Sequence, residues 1–334
     1  MSDNRRHEGA PQAKPKSNPS YVLIARILLP AGRNPLAERF EVREGGLECS
    51  REELLEMAPG AAGLVADPTV PIDAEVLDAC GDGLAVVANF AVGYDNVDLD
   101  ACRSRGVVVT NTPDVLTEAT AELALALTLA AARRMSDAER DLRAGRWRGW
   151  DPAAYRGIEI RGAKVGVVGM GRIGRRYATL ARGLGAEIVY SGPSAKADAE
   201  SELGAERMAL DELLAASDVV SIHAPASDET SGLIGRAELE LIGPEGVLVN
   251  TSRGSLVDPG ALADALERGA LGAAGLDVYE NEPEVPERLL TAPRCVLLPH
   301  IGSATVPSRD GMARAVADNV IAVLEGGEPS SRVA

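Results

Sequence analysis

The stretch Val165–Gly174, VGVVGMGRIG, decides the fold of this chain. Its apolar beginning, up to Val168, predicts a buried strand, and the residues from Arg175 to Leu184 predict a helix. Its three glycines have the spacing G-x-G-x-x-G, namely Gly169, Gly171 and Gly174. The first glycine permits a tight turn, the second lets the backbone approach a pyrophosphate, and the third lets helix and strand pack closely. Because the helix N-terminus also offers free N–H groups to phosphates, the stretch predicts a dinucleotide-binding site.

The composition is that of an ordinary globular protein large enough for two domains. The chain has 334 residues, of which 46% are hydrophobic and 25% charged, and its net charge is −16. No basic face is visible, which argues against nucleic acid as a partner. The longest apolar stretch, Leu123–Ala132, is too short to span a bilayer, so we expect no membrane partner either.

The N-terminal segment and the cysteines suggest a cytoplasmic protein. Residues 1–20 are polar and rich in Pro, Lys, Arg and Asn, and we expect them to form a disordered leader. The four cysteines show no C-x-x-C or His/Cys spacing, so we expect free, buried thiols and no metal site. These cysteines are Cys49, Cys80, Cys102 and Cys295.

Short apolar runs alternate with helical patterns on both sides of the glycine motif, which predicts parallel βαβ units. The expected fold class is α/β, with two doubly wound parallel-sheet domains. A Rossmann nucleotide-binding domain, residues 116–302, is expected to be inserted into a flavodoxin-like substrate domain made of residues 21–115 and 303–330. A long helix is expected from an N-cap at Thr117 to about Arg146, and ligands are expected in the cleft between the domains.

Hydride transfer to a carbonyl needs a proton donor, and histidine is the natural one near neutral pH. His7 lies in the leader, which leaves His223 and His300, each at the carboxyl end of a predicted strand. Alone, either histidine would favour a structural interpretation. The neighbouring strand ends supply an arginine and several acids, however, so the set predicts a catalytic cluster. These residues are Arg253, Glu280, Glu282 and Glu284.

The chain resembles the D-isomer-specific 2-hydroxyacid dehydrogenases from about residue 21 to residue 330. The resemblance rests on several long motifs in the order of the family: NFAVGYDNVD, VTNTPDVLTEATAELAL, VGVVGMGRIG, NTSRGSLVD, AAGLDVYENEP and PHIGSAT. Within the family, NTPDVLTEATAE and PHIGSAT make it most similar to the glyoxylate/hydroxypyruvate reductases.

The resemblance implies a role for each member of the cluster. Arg253 matches the substrate-binding arginine, His300 the catalytic histidine, and Glu282 the glutamate that pairs with it. The backbone of Val92 and Gly93 is implied to hold the substrate carboxylate. On this interpretation Arg253 grips the carboxylate through two parallel N–H bonds, and His300 protonates the carbonyl oxygen as hydride arrives.

The resemblance also implies a set of cofactor contacts. Asp277 matches the aspartate that positions the nicotinamide amide, and Thr120 lies in a stretch that approaches the cofactor. The full implied set is Thr120, Gly169, Met170, Gly171, Arg172, Ile173, Gly174, Gly192, Pro193, Ser194, His223, Pro225, Thr251, Ser252, Asp277 and Gly302.

The end of the second Rossmann strand predicts which cofactor is used. NAD enzymes usually carry an acid there that bonds the ribose 2′-OH, whereas this chain has Gly192. Without that acid a 2′-phosphate is not repelled, and Ser191, Ser194 and Lys196 could help to bind it. NADP-preferring relatives often have an arginine where this chain has Pro193. We expect NADP to be preferred over NAD.

The favoured function is therefore NAD(P)H-dependent reduction of glyoxylate or hydroxypyruvate to the D-2-hydroxyacid. Alternatives within the fold are dehydrogenases of other D-2-hydroxyacids, phosphoglycerate, phosphite or formate. A different class, the transcriptional co-repressors related to C-terminal binding protein, binds peptides instead. The apolar segment 117–146 and the resemblance predict a homodimer. Trp150 matches a tryptophan that some relatives insert into a partner's active site, and a buried structural role is its alternative.

Overall fold

The computed structural model describes residues 21–334, and the predicted leader at residues 1–20 lies outside them. The chain forms two compact units. Unit 1 contains the chain up to Thr112 together with Ala313–Ala334, and unit 2 contains Pro113–Met312. Unit 2 is thus inserted into the chain of unit 1.

Unit 1 contains a parallel sheet of five strands in the order β2-β1-β3-β4-β5. This is the flavodoxin-like order, in which the chain winds outward in both directions from the first strand. The middle strand β3 is buried along its whole length, as expected for a sheet covered on both faces. The elements are β1 Tyr21–Ile24, α1 Pro30–Ala37, β2 Val42–Glu44, α2 Arg51–Met57, β3 Ala61–Ala66, α3 Ala74–Cys80, β4 Val86–Asn89, α4 Leu99–Arg105 and β5 Val108–Thr110.

Unit 2 contains a parallel sheet of seven strands in the order β12-β11-β10-β9-β6-β7-β8. Counted from β6, this is the Rossmann order 3-2-1-4-5-6 with one further strand. Its elements are α5 Thr117–Ala132, α6 Met135–Arg143, β6 Lys164–Val168, α7 Arg172–Gly183, β7 Glu187–Ser191, α8 Ala197–Leu203, β8 Glu206–Arg207, α9 Leu210–Ala216, β9 Val219–Ile222, α10 Arg236–Ile242, β10 Val247–Asn250, α11 Pro259–Arg268, β11 Ala273–Leu276, α12 Glu287–Thr291 and β12 Cys295–Leu297. The last helix, α13 Val306–Leu324, runs from unit 2 into unit 1. The predicted fold class, with a Rossmann domain inserted into a flavodoxin-like domain, is confirmed.

The long helix predicted from Thr117 to Arg146 is broken. Arg134 adopts a left-handed backbone conformation (φ +53°), which separates two helices. Helix α5 ends at Ala132, and α6 begins at Met135, directly after Arg134. Leu116, not Thr117, occupies the N-cap. The small residues of α5 pack against the Rossmann sheet, where Leu127 lies close to Gly275 of β11.

Three of the four cysteines are buried and Cys49 is partly exposed, and all four are free thiols. Among residues 21–334, no helix combines the length and the apolar character needed to cross a bilayer. The same residues contain no group of three His, Cys, Asp or Glu placed to hold a metal ion.

Close packing at Gly166, in the middle of β6, lets α9 lie directly on the sheet. A Cβ at this position would come within 2.5 Å of the Ser217 hydroxyl and 2.6 Å of a Leu213 methyl. Leu213 is fully buried, so its side chain has no free space into which it can move.

We expect Gly166→Ala to destabilise unit 2 by about 1–3 kcal/mol, because the added methyl overpacks this contact. The midpoint of thermal unfolding should fall by several degrees in calorimetry. Gly183→Ala is the matched control, since Gly183 ends α7 and a Cβ there would meet nothing within 4 Å. An equal loss of stability in both variants would contradict the packing argument.

Candidate active site

The glycine turn connects β6 to α7. Gly169 has φ +96°, and a Cβ there would lie 2.6 Å from the Ala224 nitrogen. A Cβ on Gly174 would lie 2.2 Å from the Gly169 oxygen, so this glycine lets the helix approach the turn. Gly171 is different, because a Cβ on it would meet nothing within 4 Å. Two glycines are therefore required by the packing of the fold itself, while the middle one borders open space in front of the N-terminus of α7.

His223 follows β9 and is bound into the body of unit 2. Its N–H donates to the Val168 carbonyl at 2.7 Å, and its Nε2 lies 2.9 Å from the Ser221 hydroxyl. The ring packs at 5.0 Å from that of Tyr177. Desolvation lowers the pKa of His223 to about 3, so its imidazole is neutral at neutral pH. Of the two histidines that the sequence left open, His223 is therefore unsuited to donate a proton.

A buried asparagine shapes the turn that carries Arg253. Asn250, the last residue of β10, accepts the Ser252 N–H at 3.0 Å and donates to the Arg253 carbonyl at 2.8 Å. Gly254, the next residue, lies so close to the backbone at Tyr279 that a Cβ there would overlap it. The turn after β10 is thus packed against the chain that leaves β11.

Asp277 organises the turn that carries His300. It directly follows β11 and is only 1% exposed. Its two carboxylate oxygens accept the N–H groups of Ile301 at 2.8 Å and Gly302 at 2.7 Å. Its carbonyl accepts the N–H of His300 at 2.9 Å. These three bonds hold the backbone of His300 in a left-handed conformation (φ +52°). A residue other than glycine adopts this conformation only at an energetic cost.

Glu282 and His300 form the central pair of the site. The Nδ1 of His300 lies 2.6 Å from Oε2 of Glu282, whose Oε1 accepts the Tyr279 N–H at 2.9 Å. The glutamate side chain is 19% exposed and that of the histidine 34%. The pair therefore consists of a sheltered carboxylate and a more accessible imidazole, whose Nδ1 is taken by the carboxylate.

The electrostatic environment separates the two acids of the site. Burial raises the pKa of Glu282, but the hydrogen bond and charge of His300 outweigh it, with help from Arg253, and the pKa lies below its usual value. Burial also dominates at Asp277 and raises its pKa, against the bonds from the Ile301 and Gly302 N–H groups. Glu282 is thus the acid that is held ionised beside His300.

The residues around the turn fit a dinucleotide cofactor. The Thr251 hydroxyl is buried at the carboxyl end of β10 and has no hydrogen-bond partner in the described residues. A Cβ on Gly302 would be in contact with Thr120 and Asp277, so these two residues border the same turn. The open space at Gly171 and the unpartnered hydroxyl of Thr251 both lie at the carboxyl end of the sheet, where a dinucleotide binds in this fold.

The other predicted cofactor residues lie at several places along this end of unit 2. Met170 is buried in the glycine turn, and Arg172 is paired with Asp114 at 3.0 Å. The remaining positions follow the strands or start α7, as the sequence predicts: Ile173 lies in α7, Gly192, Pro193 and Ser194 follow β7, Pro225 follows β9, and Ser252 follows β10.

Val92 and Gly93 lie in unit 1, in the loop after β4. The side chain of Asn111 donates to the Val92 carbonyl at 2.8 Å, and that of Asn89 to the Gly93 carbonyl at 2.7 Å. These bonds fix the loop through its carbonyls. Among the backbone hydrogen bonds of the described residues, the N–H groups of Val92 and Gly93 donate to no carbonyl. The sequence interpretation did not find the two asparagines, although both stand in the motifs NFAVGYDN and TNTPD.

Comparisons with known proteins agree with this architecture. Residues 125–302 match the model of the D-isomer specific 2-hydroxyacid dehydrogenase, NAD binding domain. A glyoxylate reductase of Thermococcus onnurineus is 46% identical over 318 residues, 93% of this chain and 95% of that protein. A crystal structure of a protein from Thermus thermophilus superposes with a TM-score of 0.87 at 43% identity, covering 94% of this chain and 99% of that one.

A second solved structure contains a bound cofactor. It is the NADPH-dependent glyoxylate/hydroxypyruvate reductase of Sinorhizobium meliloti in complex with NADP and malonate, with a TM-score of 0.84 at 36% identity over 95% of this chain and 97% of that one. The fold and the site are those of an oxidoreductase that uses a nicotinamide dinucleotide. The chain belongs to the D-isomer specific 2-hydroxyacid dehydrogenase family.

We expect Glu282→Gln to destabilise the protein at neutral pH and to matter less in acid. A carboxyl whose folded pKa is depressed stabilises the fold above its unfolded pKa, and this stabilisation is lost as the pH falls through the folded pKa. The difference in unfolding free energy between wild type and variant should therefore shrink below about pH 4.5. Urea unfolding at a series of pH values measures it.

The control is Glu280→Gln, because Glu280 is an exposed carboxylate in the same segment. A constant difference between wild type and Glu282→Gln across the acid range would contradict the assigned charge of Glu282.

Proposed function

We propose that this chain reduces glyoxylate, and hydroxypyruvate as a second substrate, to the D-2-hydroxyacid with NADPH. The observation that carries the proposal is the Glu282–His300 pair beside the Arg253 turn, at the same end of the sheet as the glycine turn. Relatives named glyoxylate reductase, at 46% identity over most of the chain, support the choice of substrate.

In the proposed mechanism Arg253 binds the substrate and His300 donates a proton. The guanidinium of Arg253 binds the substrate carboxylate through two N–H bonds, which orients the neighbouring carbonyl. When bound, the nicotinamide supplies the hydride that adds to the carbonyl carbon. His300 gives its Nε2 proton to the carbonyl oxygen, and Glu282 at Nδ1 orients the ring. In the reverse direction His300 accepts that proton.

We propose the domain roles that the sequence predicts, with residues 116–302 binding the cofactor and residues 21–115 with 303–330 contributing to substrate binding. The support in unit 1 is the loop of Val92 and Gly93, whose carbonyls are bound by asparagines and whose N–H groups suit a carboxylate. The homodimer and the cytoplasmic location stay predictions. Trp150 is 85% exposed, so within this chain it has no buried structural role.

The preference for NADPH rests on the residue that ends the second Rossmann strand. Gly192 follows β7 where an NAD enzyme usually has an acid, and a Cβ there would meet nothing within 4 Å. The space beside Gly192 is therefore open, and no carboxylate at this position would repel a phosphate. The relative from Sinorhizobium meliloti was solved with NADP, which supports the same choice.

We expect His300→Ala to lower kcat for glyoxylate by about 10²–10⁴-fold, the usual contribution of a general acid. Binding of NADPH, followed by its fluorescence, should be retained because the glycine turn is untouched. Glu280→Gln should keep its activity, since Glu280 is exposed and only Glu282 contacts His300. A His300→Ala enzyme with kcat near that of the wild type would overturn the assignment.

We expect kcat/KM for glyoxylate reduction to be at least about tenfold higher with NADPH than with NADH, the effect of one charge-assisted hydrogen bond to the 2′-phosphate. Steady-state kinetics with the two cofactors at one ionic strength measures the ratio. A preference for NADH would refute the cofactor proposal and leave the substrate proposal standing.

A further inference from the structure

A short strand at the edge of the Rossmann sheet brings an arginine to the end of β7. Strand β8 has only two residues and pairs in parallel with β7, with Arg207 opposite Tyr190. Gly192 lies two residues beyond Tyr190, about 7 Å further along the strand, which an arginine side chain can span. The guanidinium donates to the Gly192 carbonyl from Nε at 3.3 Å and from Nη2 at 2.8 Å.

Arg207 differs from Arg175, which lies at the start of α7, in its bonding partners. Arg175 of α7 is paired with two carboxylates of α8, Glu202 at 2.6 Å and Asp198 at 3.4 Å. The bonds of Arg207 to described residues both go to one neutral carbonyl. Its positive charge is therefore not matched by a carboxylate partner, and its side chain is exposed.

The loop beside Arg207 is ordered and open. The buried Tyr190 hydroxyl donates to Glu200 at 2.6 Å and accepts the Lys196 N–H at 2.7 Å. These bonds close the loop that begins at Gly192, and Glu200 is held by Tyr190. Gly192 has no side chain, and a Cβ at this position would meet nothing within 4 Å.

We propose that Arg207 binds the 2′-phosphate of NADPH and is the residue that selects it against NADH. The ribose 2′ position lies at the end of the second Rossmann strand, where Gly192 and the guanidinium meet. The proposal rests on the proposed use of NADPH. NADP-preferring relatives often have an arginine at the position of Pro193. In this chain Arg207, on the neighbouring strand β8, would take the place of that arginine.

The test compares binding of 2′,5′-ADP and 5′-ADP by titration calorimetry, which needs no turnover. We expect wild-type protein to bind 2′,5′-ADP more tightly, Arg207→Gln to lose about 10- to 100-fold of that affinity, and 5′-ADP binding to stay unchanged. Arg207→Lys should be intermediate, because an ammonium keeps the charge without the fork of donors. It also provides a folded variant if glutamine disturbs the edge strand.

Arg182→Gln is the matched control. Arg182 is also exposed and donates to a backbone carbonyl, that of Ala186 at 3.2 Å, but just before the opposite end of β7. An equal loss in this variant would show a general effect of charge and overturn the role of Arg207. Retained discrimination in both Arg207 variants would also overturn it, with NADPH use intact. Equal binding of the two nucleotides by the wild type would instead refute the NADPH proposal itself.

Discussion

The buried carboxylate of Asp277 is the group on which the geometry of the site depends. It receives the backbone N–H groups of Ile301 and Gly302, and its own carbonyl receives that of His300. A buried acid with these bonds holds a turn in one conformation, because releasing any N–H would leave it unpaired inside the protein. The strained backbone of His300 is maintained by this arrangement, and the ring is thereby directed towards Glu282.

Hydrogen bonds from side chains to the backbone also shape the turns at other strand ends. Asn250 shapes the turn of Arg253, and in unit 1 Asn89 and Asn111 shape the loop of Val92 and Gly93. In each case an asparagine at or just after the end of a strand binds backbone groups of the neighbouring loop. The residues proposed to contact substrate are therefore positioned by neighbours on rigid strands, which keeps their geometry independent of flexible loops.

On the cofactor side of the site, the residue after β7 is a glycine, Gly192, with no side chain. Gly192 leaves space where a carboxylate would favour a ribose hydroxyl, and its carbonyl anchors Arg207. In the proposed mode of NADPH binding, the absence of an acid removes repulsion of the 2′-phosphate and the guanidinium of Arg207 supplies attraction.

Local signals in the sequence predicted much of this protein. Apolar runs broken by glycine and proline indicated the strands, and their carboxyl ends indicated Arg253, Glu282 and His300, because parallel strands present these ends at one edge. The break of the long helix at Arg134 was missed, since its Ala/Leu pattern shows no breaker there. The supporting asparagines were missed because a hydrogen bond from a side chain to the backbone leaves no periodic signal in the sequence.

The sequence by itself therefore determined the fold class, the glycine turn and the candidates for the reacting groups, because each of these is carried by a short motif along the chain. Only the tertiary structure decided that the imidazole of His223 is desolvated and neutral, which separates it from His300. It alone placed Arg207 beside Gly192, because a strand of two polar residues has no pattern of its own and forms through pairing with β7. Contacts of this kind depend on register between distant segments, and register exists only once the sheet is assembled.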